Sequence, residues 1–146
     1  MALISPSDQE RLRSSFAEMT RSVRLVFFSQ TLGCETCAQT RQILDELPAL
    51  SEKIAIDEVN LILEADQAKA YGVDRVPAIA VCYQQDGTQH DTRIRFLGLP
   101  GGYEFISLVQ AVLLAGGRPS MLSAESLTRL AAVDKPVTMQ VFTTPT

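Results

Sequence analysis

The sequence has no cluster of positive charge. Its 13 Lys and Arg residues are outnumbered by 17 Asp and Glu, for a formal net charge of −4. Basic residues such as Arg11, Arg13, Arg21, Arg24 and Arg41 stand singly. Binding a phosphate backbone requires grouped Lys and Arg, so this pattern argues against a nucleic-acid partner. Long apolar runs are missing too. The longest, around LVQAVLLAGG, is too short to span a bilayer, so no membrane association is expected. The opening MALISPSDQERLRSSF shows no cationic start followed by an apolar stretch, which makes the cytoplasm the expected compartment. Cysteine is scarce. Three is an odd and low number, unlike the paired framework of a small secreted domain.

What remains is an ordinary globular composition, 46% hydrophobic and 21% charged over 146 residues, with room for one compact domain and part of another. Ser5 can cap a helix with Pro6 at its first position and Asp8 in its first turn, and Leu12, Phe16 and Met19 recur at helical spacing. A helix over 6–20 is predicted. VRLVFFS (23–29) is short, nearly unbroken in apolar character and rich in Val and Phe, as a buried central strand would be. AQTRQILDELPAL reads as a helix weakening near Pro48, KIAIDEVN (53–60) as a second strand, and EADQAKAYG as a short helix closed by Gly72. PAIAVCY (77–83) and TRIRFLG (92–98) make a hairpin about Asp86-Gly87. Phe105, Leu108, Val109, Val112 and Leu113 stripe a further helix ended by Gly116-Gly117. A βαβ half followed by a ββα half predicts a four-stranded mixed sheet flanked by helices, with one extra helix at the N-terminus.

The tail continues with MLSAESLTRLAAV, a helix capped by Ser123, and then VTMQVF (137–142), which reads as a strand. MQVFTTPT is laid out like LVFFSQTLG, the segment just before Cys34. Two readings stand side by side: the opening of an internal repeat, or a last strand completing the same sheet.

Two of the three cysteines sit together in GCETC, as Cys34 and Cys37. The pair is a redox couple, half of a metal site, or a coincidence of small apolar residues. Zinc needs four ligands, and only Cys82 and His90 remain, neither in a second paired motif, so no metal is expected. The context, a buried strand, a short loop, then the pair opening a helix, favours redox chemistry. Cys34 would lie at the helix N-terminus, where free amides and the macrodipole favour a thiolate, and Cys37 would lie a turn on, within reach of a mixed disulfide. Glu35, between them, should oppose that effect and keep Cys34 less acidic than at a strongly oxidising site. The second informative stretch is YGVDRVPAIAV. Val76-Pro77 precedes a buried strand, and its peptide bond is open to both cis and trans. A cis bond would leave the backbone of Val76 facing outward, where an extended substrate segment could pair with it. Cys82 reads as a buried packing residue, His90 as a surface residue and Arg75 as a solvated one.

Cys34-Glu35-Thr36-Cys37 after VFFS, with AKAYGVDRVPA, resembles the thioredoxin–glutaredoxin superfamily. With IRFLGLPGGYEF and VFTTPT the chain resembles the N-terminal unit of the glutaredoxin-like protein disulfide oxidoreductases, which carry two tandem thioredoxin-like folds. The resemblance implies a thioredoxin-like fold over 1–117, and over 118–146 a connecting helix and the first strand of a second unit that stops before its own cysteines. It implies Cys34 as the attacking and Cys37 as the resolving cysteine and Pro77 as a cis-proline; the backbone argument makes Val76 beside it the expected substrate contact. Protein disulfides and dithiols would be the substrates, a thioredoxin-reductase-like flavoprotein the electron source. No bound cofactor is expected, because the cysteines carry the electrons. Two departures stand out: no proline lies between the cysteines, and Gly33 occupies a place where glutaredoxins often have a basic residue. The competing expectation is a non-catalytic interaction or assembly module.

Overall fold

The structure, a computed structural model, describes residues 3–144. In chain order its elements are α1 (Pro6–Ala17), β1 (Ser22–Ser29), α2 (Cys37–Asp45), β2 (Ile54–Asn60), α3 (Ala65–Ala70), β3 (Ala78–Gln85), β4 (Thr88–Leu97), α4 (Tyr103–Ala115) and α5 (Ala124–Ala131). The strands form one sheet in the order β2-β1-β3-β4. β1 runs parallel to β2 and antiparallel to β3, and β3 and β4 form the hairpin. Asp86 and Gly87 at the hairpin turn both take positive φ, 51° and 75°, as a tight two-residue turn of this hand demands. The expected mixed sheet and its helical flanks are therefore present.

β1 explains why its sequence lacks alternation. Val23, Leu25 and Phe27 point to one face, against Cys37 and Leu44 of α2, Leu108 and Val112 of α4, and Phe16 of α1. Val26 and Phe28 point to the other, with Val59, Ala68, Val73, Ala78, Ala80 and Cys82. A strand covered on both faces has no polar side to show. Full burial of one such Leu or Phe side chain contributes about 1.5–3 kcal/mol, so this strand dominates the local stability.

Several boundaries differ from the sequence expectation. α1 stops at Ala17, three residues early, because the chain turns to meet the far end of α4: the carbonyl of Gly116 accepts from the amides of Thr20 (2.8 Å) and Arg21 (3.0 Å). β4 starts at Thr88 and carries an irregularity, since Ala80 pairs with Arg95 but Cys82 with Asp91. Arg93 there has φ 67°. Thr92 closes the gap, its hydroxyl donating to Val81 O (2.7 Å) and accepting from Ile94 N (3.1 Å). His90 lies on β4, exposed, its ring stacked 5.0 Å from Tyr83. The strand expected over 137–142 is not formed. Those residues pair with no strand among the described residues and are exposed, as is every residue of α5 apart from the partly exposed Ser126. A strand exists only through its ladder, and the apolar pattern of VTMQVF cannot supply a partner. The predicted cap of α5 is there: Ser126 N donates to Ser123 Oγ (3.1 Å).

Arg95 ties the hairpin to α3. Its guanidinium binds both carboxylate oxygens of Asp91 (2.8 and 2.6 Å) and donates to Tyr71 O at 3.0 and 3.2 Å. The hydrogen bonds from Arg95 hold the Asp91 carboxyl below its ordinary range. A carboxyl depressed in this way adds stability at pH values above its unfolded pKa, and that stability is lost as pH falls through the folded one. Asp91→Asn should therefore lower the melting temperature modestly near neutrality, since the pair is partly exposed, and flatten the acid limb of the profile below about pH 4, where variant and wild type converge. Gly117 has φ 105° and an added Cβ would collide with Thr20 Oγ1. Gly117→Ala should cost about 2 kcal/mol and lower the thermal midpoint by several degrees in circular dichroism. An unchanged midpoint would show that the α4 end does not pin the α1–β1 turn.

Candidate active site

Ser29 and Asn60 are paired as the last residues of parallel strands β1 and β2, and Leu61 N donates to Ser29 O (2.8 Å). In the antiparallel β1–β3 pair, Phe28, next to Ser29, is opposite Ala78, the first residue of β3, so Val76-Pro77 enters the sheet at this same end. Three segments thus leave the sheet at one end: the cysteine loop after β1, the loop after β2, and Val76-Pro77 before β3. The Val76–Pro77 peptide bond is cis. Pro77 is buried, and its carbonyl accepts from Gly98 N (2.9 Å). Val76 is partly buried, and among the described residues its backbone groups have no hydrogen-bond partner.

Cys34 and Cys37 are joined in a disulfide with Cα atoms 5.5 Å apart. The helix begins later than expected. α2 starts at Cys37 with Thr36 as its N-cap, so Cys34 precedes the helix and does not belong to its first turn. The physical reason is the loop: the chain bends through 31–33, with Gly33 at φ 74°, and again at 35–36, before the helical turn can close. Thr36 makes no side-chain cap. Its carbonyl accepts from both the amide and the hydroxyl of Thr40, each at 2.9 Å. The first amides of α2 therefore receive no side-chain cap from Thr36, and the dipole argument survives in weaker form.

The two sulfurs differ in access. Cys37 is 7% exposed and packs in the core with Leu44 and Phe27, whereas Cys34 is only partly buried. A groove of about 620 Å³ runs beside them, lined by Ser29, Cys34, Cys37, Arg41, Glu58 and Glu64 among others. Glu58 continues the Ile54–Ile56 face of β2, the face that α2 covers, and there it meets Arg41, one helical turn beyond Cys37. Ser29 Oγ donates to the same carboxylate. Ser29, Arg41 and Glu58 were not legible as site residues. Arg41 alone carried a signal, its i+4 spacing from Cys37. Arg75 is exposed and paired with Asp74 (2.8 Å). Cys82 is a free, buried thiol in the cluster on the opposite sheet face from Cys37, and burial pushes its pKa up. No group of three or more potential metal-ligating side chains gathers among the described residues.

A four-stranded mixed sheet carrying a Cys-x-x-Cys disulfide at the end where a cis-proline enters decides the architecture. The chain has a thioredoxin-like fold. No family model matches its sequence. The NTD_N/C domain of alkylhydroperoxide reductase AhpF from Enterococcus faecalis superposes with a TM-score of 0.79 at 26% identity, over 90% of this chain and 62% of that one. A protein disulfide oxidoreductase from Aeropyrum pernix gives a TM-score of 0.72 over 88% of this chain and 54% of that one; at 24% identity it speaks for the fold alone. Among curated proteins, the AhpF component of alkyl hydroperoxide reductase from Xanthomonas campestris pv. phaseoli is 36% identical over 118 residues, 79% of this chain. The chain spans 19% of that relative's length. On this thioredoxin-like fold, the Cys34–Cys37 pair beside a groove supports thiol–disulfide exchange. No helix is long and apolar enough to cross a membrane among the described residues.

Glu35 is exposed between the cysteines, at the positive end of α2. Glu35→Gln should lower the pH at which thiolate absorbance appears in the reduced chain, because removing a negative charge beside a forming anion favours that anion. The ultraviolet absorbance of the thiolate against pH measures this. An unshifted or upward-shifted transition would show that Glu35 does not act on the sulfur.

Proposed function

We propose that this thioredoxin-like unit exchanges disulfides with protein substrates, Cys34 attacking and Cys37 resolving. The observation that carries the reading is the unequal exposure of the two cysteines beside the groove, Cys34 only partly buried and Cys37 7% exposed and packed in the core. In the reduced chain, the Cys34 thiolate attacks a substrate disulfide. A Cys34–substrate bond forms, the substrate bond breaks, and the departing thiolate takes a proton from water. Cys37 then loses its proton and attacks Cys34. The intramolecular disulfide closes and the second substrate thiol leaves. Two electrons have passed from the chain to its substrate; the reverse sequence oxidises a dithiol.

Val76 would hold the substrate as an added strand, since its amide and carbonyl have no partner among the described residues and Pro77 turns the chain at the cysteine end of the sheet. A thioredoxin-reductase-like flavoprotein would re-reduce the pair, as the family resemblance implies, in the cytoplasm, where protein disulfides are mostly catalytic. Residues 118–146 would belong to a second thioredoxin-like unit. α5 buries no residue, Val137, Met139, Val141 and Phe142 are 69–89% exposed, and the matched solved chains are longer than this one.

Reduction of insulin by dithiothreitol should be accelerated by the wild-type chain and not by Cys34→Ser. Cys37→Ser should instead accumulate a mixed disulfide with the substrate, visible by mass spectrometry. Equal rates for wild type and Cys34→Ser would leave the fold as an interaction module without this chemistry.

A further inference from the structure

Beside the groove, the structure displays large apolar side chains that the redox reading leaves unused. Leu32 (83% exposed) lies in the loop after β1, and Ile62 (67%) and Leu63 (83%) lie in the loop after β2. The two loops start from the paired residues Ser29 and Asn60, so they flank the disulfide on the same end of the sheet. The second loop is held firmly. Asn60 Oδ1 accepts from the amides of both Ile62 and Leu63 at 3.0 Å, Asn60 N donates to the Glu64 carboxylate (2.8 Å), and Glu64 N donates to Asn60 O (2.9 Å). These four hydrogen bonds fix a knuckle whose two side chains stand in water. Loops normally present polar residues outward, and apolar side chains held out on a hydrogen-bonded loop backbone beside a groove mark a contact surface whose backbone ordering cost is already met in the second loop.

The charge around this rim is one-sided. Glu58 and Glu64 line the groove with one cation, Arg41, which is already paired with Glu58. With the exposed Glu35 between the cysteines, three carboxylates against one guanidinium leave a net −2 around the disulfide. We infer that Leu32, Ile62 and Leu63 form a selectivity rim for protein segments that carry a bulky apolar residue and a Lys or Arg next to the reacting cysteine. This rests on the redox reading of Cys34 and deepens it by naming the substrate class. The apolar contact discriminates by excluding water from a side chain, and the carboxylates steer and orient the basic residue.

The test uses two disulfide-linked peptides that differ only beside the cysteine, one with Leu and Lys, the other with Ser and Glu, and bis(hydroxyethyl) disulfide as a substrate too small to reach the rim. The wild-type chain should favour the Leu–Lys peptide by about tenfold in kcat/KM, the scale of one well-buried aliphatic contact, about 1.4 kcal/mol. The variant L32S/I62S/L63S should lose most of that preference, keeping only the salt-sensitive share that the carboxylates give to Lys, and keep its rate on the small disulfide within about twofold, since all three residues are exposed and outside the core. No preference in the wild type, or an equal loss on peptides and small disulfide, would overturn the rim. If the wild type dimerises through these residues, the triple variant is monomeric and both peptides react alike, the face is for self-association and the proposal fails. A wild-type chain inert toward the small disulfide as well would mean that the redox reading itself is wrong.

Discussion

The site depends on the double burial of β1. The strand is hydrogen-bonded on both edges and covered on both faces, so its end has little freedom to move. Ser29 is the last residue of this fixed rod, and the cysteine loop, the β2 loop and the proline segment are all positioned relative to it. A reactive pair in a surface loop gains its precision from such an anchor, because the scaffold and not the loop supplies the rigidity.

The same arrangement gives the two cysteines different surroundings. α2 packs through Leu44 and Cys37 onto the face of β1 that carries Leu25 and Phe27, which takes one sulfur into the core. Cys34 lies before the helix begins and stays within reach of solvent. The chemistry of exchange is symmetric in the two sulfurs; the packing is not. On the opposite face, Arg95 and Asp91 lock the hairpin to α3 through Tyr71, and α3 delivers the chain into Gly72 and then to Val76-Pro77. Two independent pieces of packing therefore converge on one end of the sheet.

Much of this was written locally in the sequence. The unbroken LVFF run announced a doubly covered strand, Ser5-Pro6 and Ser123 announced helix starts, and Asp86-Gly87 announced the hairpin, because each depends on neighbours within a few residues. What was not legible depends on distant partners. The irregularity at Arg93 is resolved by a side-chain bond from Thr92 to Val81, eleven residues away. The groove needs Arg41 of α2 to find Glu58 of β2. VTMQVF has the pattern of a strand and yet forms none, since pattern specifies a face and a ladder requires a neighbour. The helix start at Cys37 in place of Cys34 belongs between these cases: the pair was legible, its offset from the helical turn was not.

The position of the third cysteine has a further consequence. Three cysteines allow three pairings, but Cys82 is sealed beneath the sheet surface opposite the one that holds Cys37, with no exposed area. Either alternative bridge would have to pass through a hydrogen-bonded layer. Within the folded chain, oxidation can therefore form only the Cys34–Cys37 bridge.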